Sequence, residues 1–372
     1  MFAGLVTRRV GLTALALISA GMAAGLYPAF AKDREVRVYN WSDYIDTSIL
    51  EDFTKETGIK VVYDVFDSNE LLETKLLAGG SGYDIVVPSG SFLSRQIAAG
   101  VFLKLDKSKL PNLKNMWPEI SNRVAIYDPG NQYAIDYLWG TTGIGYNEAK
   151  VKERLPDAPL DSWDLLLKPE NAAKLKDCGI YVLDAPEDVI PPLLKYLGLD
   201  PNSKDPEVLK KATDLFETIR PNVKKFHSSE YINALANGDI CVALGWSGDI
   251  LQAGNRATEA KNGQVVKYIL PKEGTQMWFD MMAIPKDAKH VEEAHIFLDY
   301  MMRPEVIAKS SNFVQYANGN LASQQFVSDE VKKNPVVYPD EATLKKLFVK
   351  TAYDAKTQRA VTRSWTKIVT GK

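Results

Sequence analysis

Histidine is scarce in this 372-residue chain, cysteine is scarcer, and neither sign of charge is in surplus. Its three histidines, His227, His290 and His295, stand far apart and form neither a HExxH pair nor a His/Cys ligand spacing, so no metal site is expected. Lys and Arg total 45 against 47 Asp and Glu, and no basic cluster gathers aromatics around it, which excludes the electrostatic footprint of nucleic-acid binding. A Walker A sequence is missing. Gly143-x-Gly145 lacks the third glycine of a dinucleotide fingerprint, because Glu148 stands there. Gly245-Trp246-Ser247-Gly248 approaches a nucleophile elbow, but its second glycine comes one place early and no histidine is near in sequence. No cofactor is implied, and an enzyme has no positive sign. A secreted hydrolase is the rival reading, and it needs a base near Ser247 or Ser89.

What is present begins with an export signal. Arg8 and Arg9 precede an apolar run from Val10 to Ala24, and Ala29 and Ala31 have the small-x-small form of a cleavage site. Residues 1–31 are expected to be a signal peptide cut after Ala31. An uncleaved anchor is the alternative, and Thr7-Arg8-Arg9 leaves a twin-arginine route open. In an exported chain the even pair Cys178 and Cys241, each beside a short predicted strand, suggests a disulfide rather than a metal site or a nucleophile; two buried thiols are the alternative.

The stretch Val36 to Tyr44 organises the rest, since an alternating strand runs straight into an aromatic and acidic turn before the helix around Ile49 and Phe53. Strand, helix, strand, helix, strand continues to Ile85-Val86-Val87, a pattern that implies an α/β fold with a parallel sheet and right-handed crossovers. Pro88-Ser89 follows that third strand, and Ser89 is either a helix cap or a hydroxyl facing the same crevice. The aromatic, glycine-rich run Tyr137 to Tyr146 reads as a crossing into a second α/β block, where Asp184 to Asp188 and Gly245 to Asp249 again follow strands. In that block one helix is predicted from Trp163 to Lys176. Strands at Val265 to Leu270 and Met277 to Pro285, joined by the turn Pro271-Lys272-Glu273-Gly274, read as a pair, and a helix is predicted near Thr343 to Val349.

A recurrence stands out against this frame: Trp41-x-Asp43, Trp246-x-x-Asp249 and Trp278-x-Asp280. Each pair alone is more simply structural. Were the three to converge, indoles and carboxylates with no Arg or Lys in their loops would suit an elongated cation with an apolar middle, since alkyl amines are charged at neutral pH and indole faces attract cations and pack on methylenes. A polyamine fits that description. An amino acid does not, because its carboxylate needs an Arg that these loops lack.

Four segments carry a family likeness: Tyr39-Asn40-Trp41-Ser42-Asp43-Tyr44, Tyr83-Asp84-Ile85-Val86-Val87-Pro88-Ser89, Thr141-Thr142-Gly143-Ile144-Gly145-Tyr146-Asn147 and Asn237-Gly238-Asp239-Ile240-Cys241-Val242-Ala243. Together they resemble the periplasmic polyamine-binding proteins of bacterial ABC importers, most of all the putrescine-binding branch. The resemblance covers nearly all of the exported chain. It implies a two-lobed type II periplasmic binding protein fold, each lobe a mainly parallel sheet flanked by helices, with the ligand cleft at the hinge. The implied segments are 32–138 and 262–312 in lobe 1 and 143–255 and 319–372 in lobe 2, with crossings near Leu138 to Thr142, Asn255 to Asn262 and Asn312 to Asn318.

The same likeness implies that Asp249 and Asp280 hold an ammonium and that Ser42, Asp43 and Ser89 line the cleft or act through water. Trp41, Tyr44, Trp246, Trp278 and Tyr316 would wall the alkyl chain. Asp188 stands where relatives commonly carry Glu, and Trp278 is bulkier than the Phe expected in putrescine-selective relatives, so spermidine remains a candidate ligand beside putrescine. The implied partners are the transmembrane subunits of an ABC permease, and a monomer is expected; a sensor docking a membrane receptor would carry the same ligand site.

Overall fold

The structure is a computed structural model that describes residues 34–371; the expected signal peptide and its cleavage site lie outside the described residues. Alternation of buried Val36 and Val38 with exposed partners makes β1 (Glu35–Trp41), and the β-branched run Lys60–Phe66 makes β2 beside it in parallel register. Next come β3 (Ile85–Val86), β4 (Ala134–Asn147), β5 (Ile180–Val182), β6 (Lys225–Phe226) and β7 (Val242–Trp246). The last four are β8 (Val266–Ile269), β9 (Gln276–Ala283), β10 (Ala317–Asn318) and β11 (Phe348–Val349).

All of them join through β4, whose 14 residues are buried from end to end. Its first half, up to Thr141, pairs with β9, and its second half, from Thr142, pairs with β7 and β8. The order β2-β1-β3-β9-β4 therefore forms one lobe and β4-β7-β5-β6 the other. In each, one strand is reversed among parallel neighbours: β9 in the first lobe, and β4 itself in the second. Two apolar cores follow the same division, one around Val38, Phe53 and Phe297, the other around Trp163, Val182 and Leu244. This is the two-lobed arrangement that the resemblance implies.

The first crossing falls at Thr141–Thr142, inside the predicted run. The other two differ from expectation. β8 and β9 do not form a hairpin, because β8 pairs with Ile144–Asn147 and β9 with Ala134–Thr141, so the turn at Pro271–Gly274 is itself the second crossing and residues 262–270 belong to lobe 2 rather than lobe 1. Likewise β10 pairs with Leu138–Trp139 and β11 with Gln276–Met277, and Val327, Val331 and Val337 pack into the first core. Lobe 1 thus continues to β11, the third crossing lies between Val349 and Tyr353, and only the helix Ala355–Thr370 returns to lobe 2 through Val361, Trp365 and Ile368. Two helices also differ. Pro169 divides the one expected across Trp163–Lys176, having no N–H to continue the first turn, and Thr343–Val349 becomes a short helix Glu341–Leu344 followed by β11.

Cys178 and Cys241 form the expected disulfide, because β5 and β7 are parallel neighbours and bring the two Cα atoms to 5.5 Å. Closing a loop across a sequence separation of 63 contributes about 4 kcal/mol in the chain-entropy account.

Candidate functional site

Parallel strands leave their carboxyl ends on one edge, and here the edges of the two lobes face each other. Trp41 ends β1 and is fixed by its indole N–H donating to Val87 O at 2.9 Å. Ser89, just past β3, is the N-cap of the helix Gly90–Ala98 by backbone position, yet its side chain makes no cap hydrogen bond. Its hydroxyl instead donates to Asp280 Oδ1 at 2.6 Å and accepts from Asn69 Nδ2 at 2.9 Å, which is the crevice-facing alternative. Trp278 and Asp280 sit two residues apart on β9 and so share one face of the sheet. From lobe 2, Trp246 ends β7 and Asp249 lies in the first turn of the helix Ser247–Glu259. Asp188 comes from the first turn of the helix Pro186–Tyr196 and accepts from Gln276 Nε2 at 3.1 Å.

These groups line one cleft of about 460 Å³, its open mouth included. Trp41, Ser42, Tyr44, Ser89 and Asp188 are in its wall, as are Trp246, Asp249, Trp278, Asp280 and Tyr316. Asp43 is not. Its backbone is left-handed, with φ 55°, its side chain is 41% exposed, and it pairs with Arg256 Nη2 of lobe 2 at 2.6 Å. The structure thus places Asp43 in an ion pair between lobes rather than in the cleft wall. Phe66, Asp67, Ser228 and Ser229 line the cleft as well and escaped the sequence reading. All four sit at the carboxyl ends of β2 and β6: the rule that singled out Trp41 applies equally to Phe66 and Asp67 after the predicted second strand, and would have found Ser228 and Ser229 had β6 been recognised.

The aromatic wall is continuous across the lobes. Trp246 meets Trp41 edge-on at 5.6 Å between ring centres and Trp278 at 6.5 Å; Trp278 meets Tyr316 at 5.3 Å, and Tyr316 meets Tyr44 at 5.2 Å. Two glycines make room for it. A Cβ on Gly140 would lie 2.8 Å from the Trp278 ring, and one on Gly248 would lie 2.5 Å from the Tyr316 ring. With lobe-2 Trp246 wedged between two lobe-1 indoles, the lobes are shut on each other.

Four carboxylates, Asp67, Asp188, Asp249 and Asp280, face this wall, and none of the lining residues is Lys, Arg or His. Burial lifts Asp280 to about 7, with Asp249 adding to the rise and the Ser89 hydroxyl opposing it. Asp249 also reaches about 7 through burial, although phenols donate to both its oxygens, Tyr231 at 2.7 Å and Tyr316 at 2.8 Å. Asp188 is lifted furthest, to about 8, by burial and then by its acidic neighbours Glu187, Glu70 and Asp280. Carboxyls so disposed hold protons that a bound cation would displace. The arrangement is built to receive positive charge at more than one point along an apolar slot.

Among known proteins, the model of the bacterial extracellular solute-binding protein family matches residues 48–339. The chain is 57% identical over 366 residues to the putrescine-binding periplasmic protein SpuD of Pseudomonas aeruginosa, covering 98% of this chain and 100% of that protein. It is 56% identical to the putrescine-binding periplasmic protein PotF of Escherichia coli, covering 94% of this chain and 95% of that one. A solved structure of a putative spermidine/putrescine ABC transporter from Listeria monocytogenes superposes with a TM-score of 0.80 at 34% identity, over 91% of this chain and all of that one. The chain belongs to the bacterial extracellular solute-binding proteins.

Proposed function

We propose that this protein is the periplasmic receptor of an ABC importer for putrescine, holding the protonated diamine in the cleft by closure of its two lobes and presenting the closed form to the permease. One observation carries the reading: carboxylates and indoles from both lobes line a slot without a single cationic side chain. An ammonium placed there acquires charge-assisted hydrogen bonds, while its methylenes lie against aromatic faces. The names of SpuD and PotF support putrescine as the ligand. Capture rather than turnover is the role we assign: Ser247, the residue of the elbow-like sequence, is 2% exposed and its oxygen accepts from Thr141 N at 3.3 Å. We take the receptor to act as a monomer.

Titration calorimetry with putrescine and with N-acetylputrescine tests this. Acetylation removes one charge, and affinity is expected to fall at least about tenfold, the loss of one charge-assisted contact. Equal affinity for the two would overturn recognition of both ends.

Trp278 sets the match to chain length in this reading. Its indole touches Trp246 on one side and Tyr316 on the other, and a longer polyamine lays more methylenes against it. Trp278→Phe is therefore expected to weaken spermidine about fivefold or more relative to putrescine, one buried methylene or so of lost contact. An unchanged ratio of the two dissociation constants would remove Trp278 as the discriminating residue.

A further inference from the structure

A second meeting of the lobes lies behind the cleft wall and is made of charge. Glu187 opens the lobe-2 helix Pro186–Tyr196 next to Asp188, but it does not line the cleft. Its carboxylate reaches across to the lobe-1 helix Gly90–Ala98, where Arg95 Nη1 donates to Oε1 at 2.8 Å and the Ser91 hydroxyl donates to Oε2 at 3.1 Å. Lys350, in the third crossing, adds its ammonium to Oε2 at 2.6 Å. The Glu187 and Lys350 side chains are only 4% and 2% exposed.

The two sides are not equally dependent on this contact. Arg95 is held within lobe 1 by Glu73, at 2.6 Å through Nε and 3.1 Å through Nη2, and lies over the Phe92 ring at 3.6 Å. It keeps both when the lobes part. Glu187 keeps Lys350 at most and loses Arg95 and Ser91. The cluster is thus a set of contacts made in the shut form and unmade in the open one, which is the condition for biasing a two-state equilibrium. A further ion pair between lobes, Asp43 with Arg256, is 41% and 30% exposed and correspondingly screened by water.

We propose that Glu187 is a clasp between the lobes: a positioning residue that, through Arg95 and Ser91, sets the fraction of closed protein and so the ligand affinity without touching the ligand. The apparent dissociation constant varies inversely with the fraction of binding-competent protein, so weakening the clasp weakens capture. This rests on the receptor reading above, in which closure accompanies binding.

A double-mutant cycle on Arg95→Gln and Glu187→Gln tests it, read by putrescine calorimetry, by small-angle scattering with and without putrescine, and by the thermal midpoint of the ligand-free protein. Each single variant is expected to raise the dissociation constant about tenfold or more, as truncation of one partner of a buried charge pair does, and the double variant to be little worse than either. In the ligand-free protein Ser91→Ala is expected to move the thermal midpoint by no more than about 2 °C, whereas Arg95→Gln and Glu187→Gln also lose Glu73 and Lys350, partners that survive opening, and are expected to lower it further. Ser91→Ala, which removes one hydroxyl and leaves no buried charge unpaired, is expected to raise the constant about threefold and decides the matter should Glu187→Gln fail to fold. Wild-type protein that contracts on putrescine, together with variants whose affinity is unchanged or whose effects add independently, would overturn the clasp and leave the receptor reading intact. Wild-type protein that neither binds putrescine nor contracts would overturn the receptor reading itself.

Discussion

Asp280→Asn and Asp249→Asn are each expected to weaken putrescine binding by about 30- to 1000-fold, the 2–4 kcal/mol lost when one partner of a buried, hydrogen-bonded charge pair is truncated. The structure says why both should matter. Asp280 accepts from the Ser89 hydroxyl through one oxygen and has the Tyr44 phenol beside it, two neutral donors that orient the carboxylate toward the cleft without supplying the positive charge an ammonium would bring. Asp249 is oriented by two phenols, one on each oxygen, and its remaining lone pairs face the cleft beside Trp246 and Tyr316. An amide at either place offers N–H where the ligand needs an acceptor. The same substitutions should leave the ligand-free protein at least as stable at pH 8, because each removes a carboxylate that burial holds at an unfavourable ionisation. Calorimetry gives the affinities and thermal melts give the stabilities. Binding within about threefold of wild type in both variants would place the ammonium elsewhere.

How much of this could be read beforehand depends on whether a feature is local. Trp41, Trp246 and Trp278, each with an Asp two or three places on, could be found because strand ends and loops announce themselves in the residue pattern, and seven further residues of the cleft wall, Asp249 and Asp280 among them, follow strand ends in the same way or were carried by the family likeness. The direction of a side chain within such a loop could not. Asp43 lies between two cleft residues, but its left-handed backbone turns it outward, and Arg256, from a distant helix, holds it there. The strand β4 was hidden for another reason: buried on both faces, it shows no alternation, and its Gly and aromatic residues resemble a loop. Turn chemistry at Pro271–Gly274 is that of a hairpin, yet both flanking strands pair with different halves of β4, a choice made by tertiary packing. Lys350 and Glu187 illustrate the limit, since nothing in either neighbourhood says that a buried cation and a buried anion will meet.

Putrescine affinity is expected to rise by up to about 100-fold between pH 6 and pH 8, if the ligand-free protein keeps the burial that lifts Asp249 and Asp280 to about 7 in the shut cleft and both are ionised in the complex. The sign follows from which state holds the protons. Below about 7 these carboxyls are neutral in the free protein, so binding a diammonium must first release protons, and each group contributes up to about a tenfold change per pH unit. Above about 8 the carboxylates, including Asp188, are already ionised and the curve flattens, while the ligand amines, with pKa near 10, stay charged. Stability of the ligand-free protein should run the opposite way. A carboxyl whose folded pKa is raised binds more protons folded than unfolded between about 4 and 7, so the folded form loses stability across that window as pH rises, and the cation restores it. Calorimetry at pH 6.5 in two buffers of different ionisation enthalpy would count the protons directly, with a net release of about one or more expected. Equal affinity at pH 6 and pH 8 with no proton release would mean that the buried acids are ionised before the ligand arrives, and that something other than their repulsion and desolvation is relieved when the lobes shut on it.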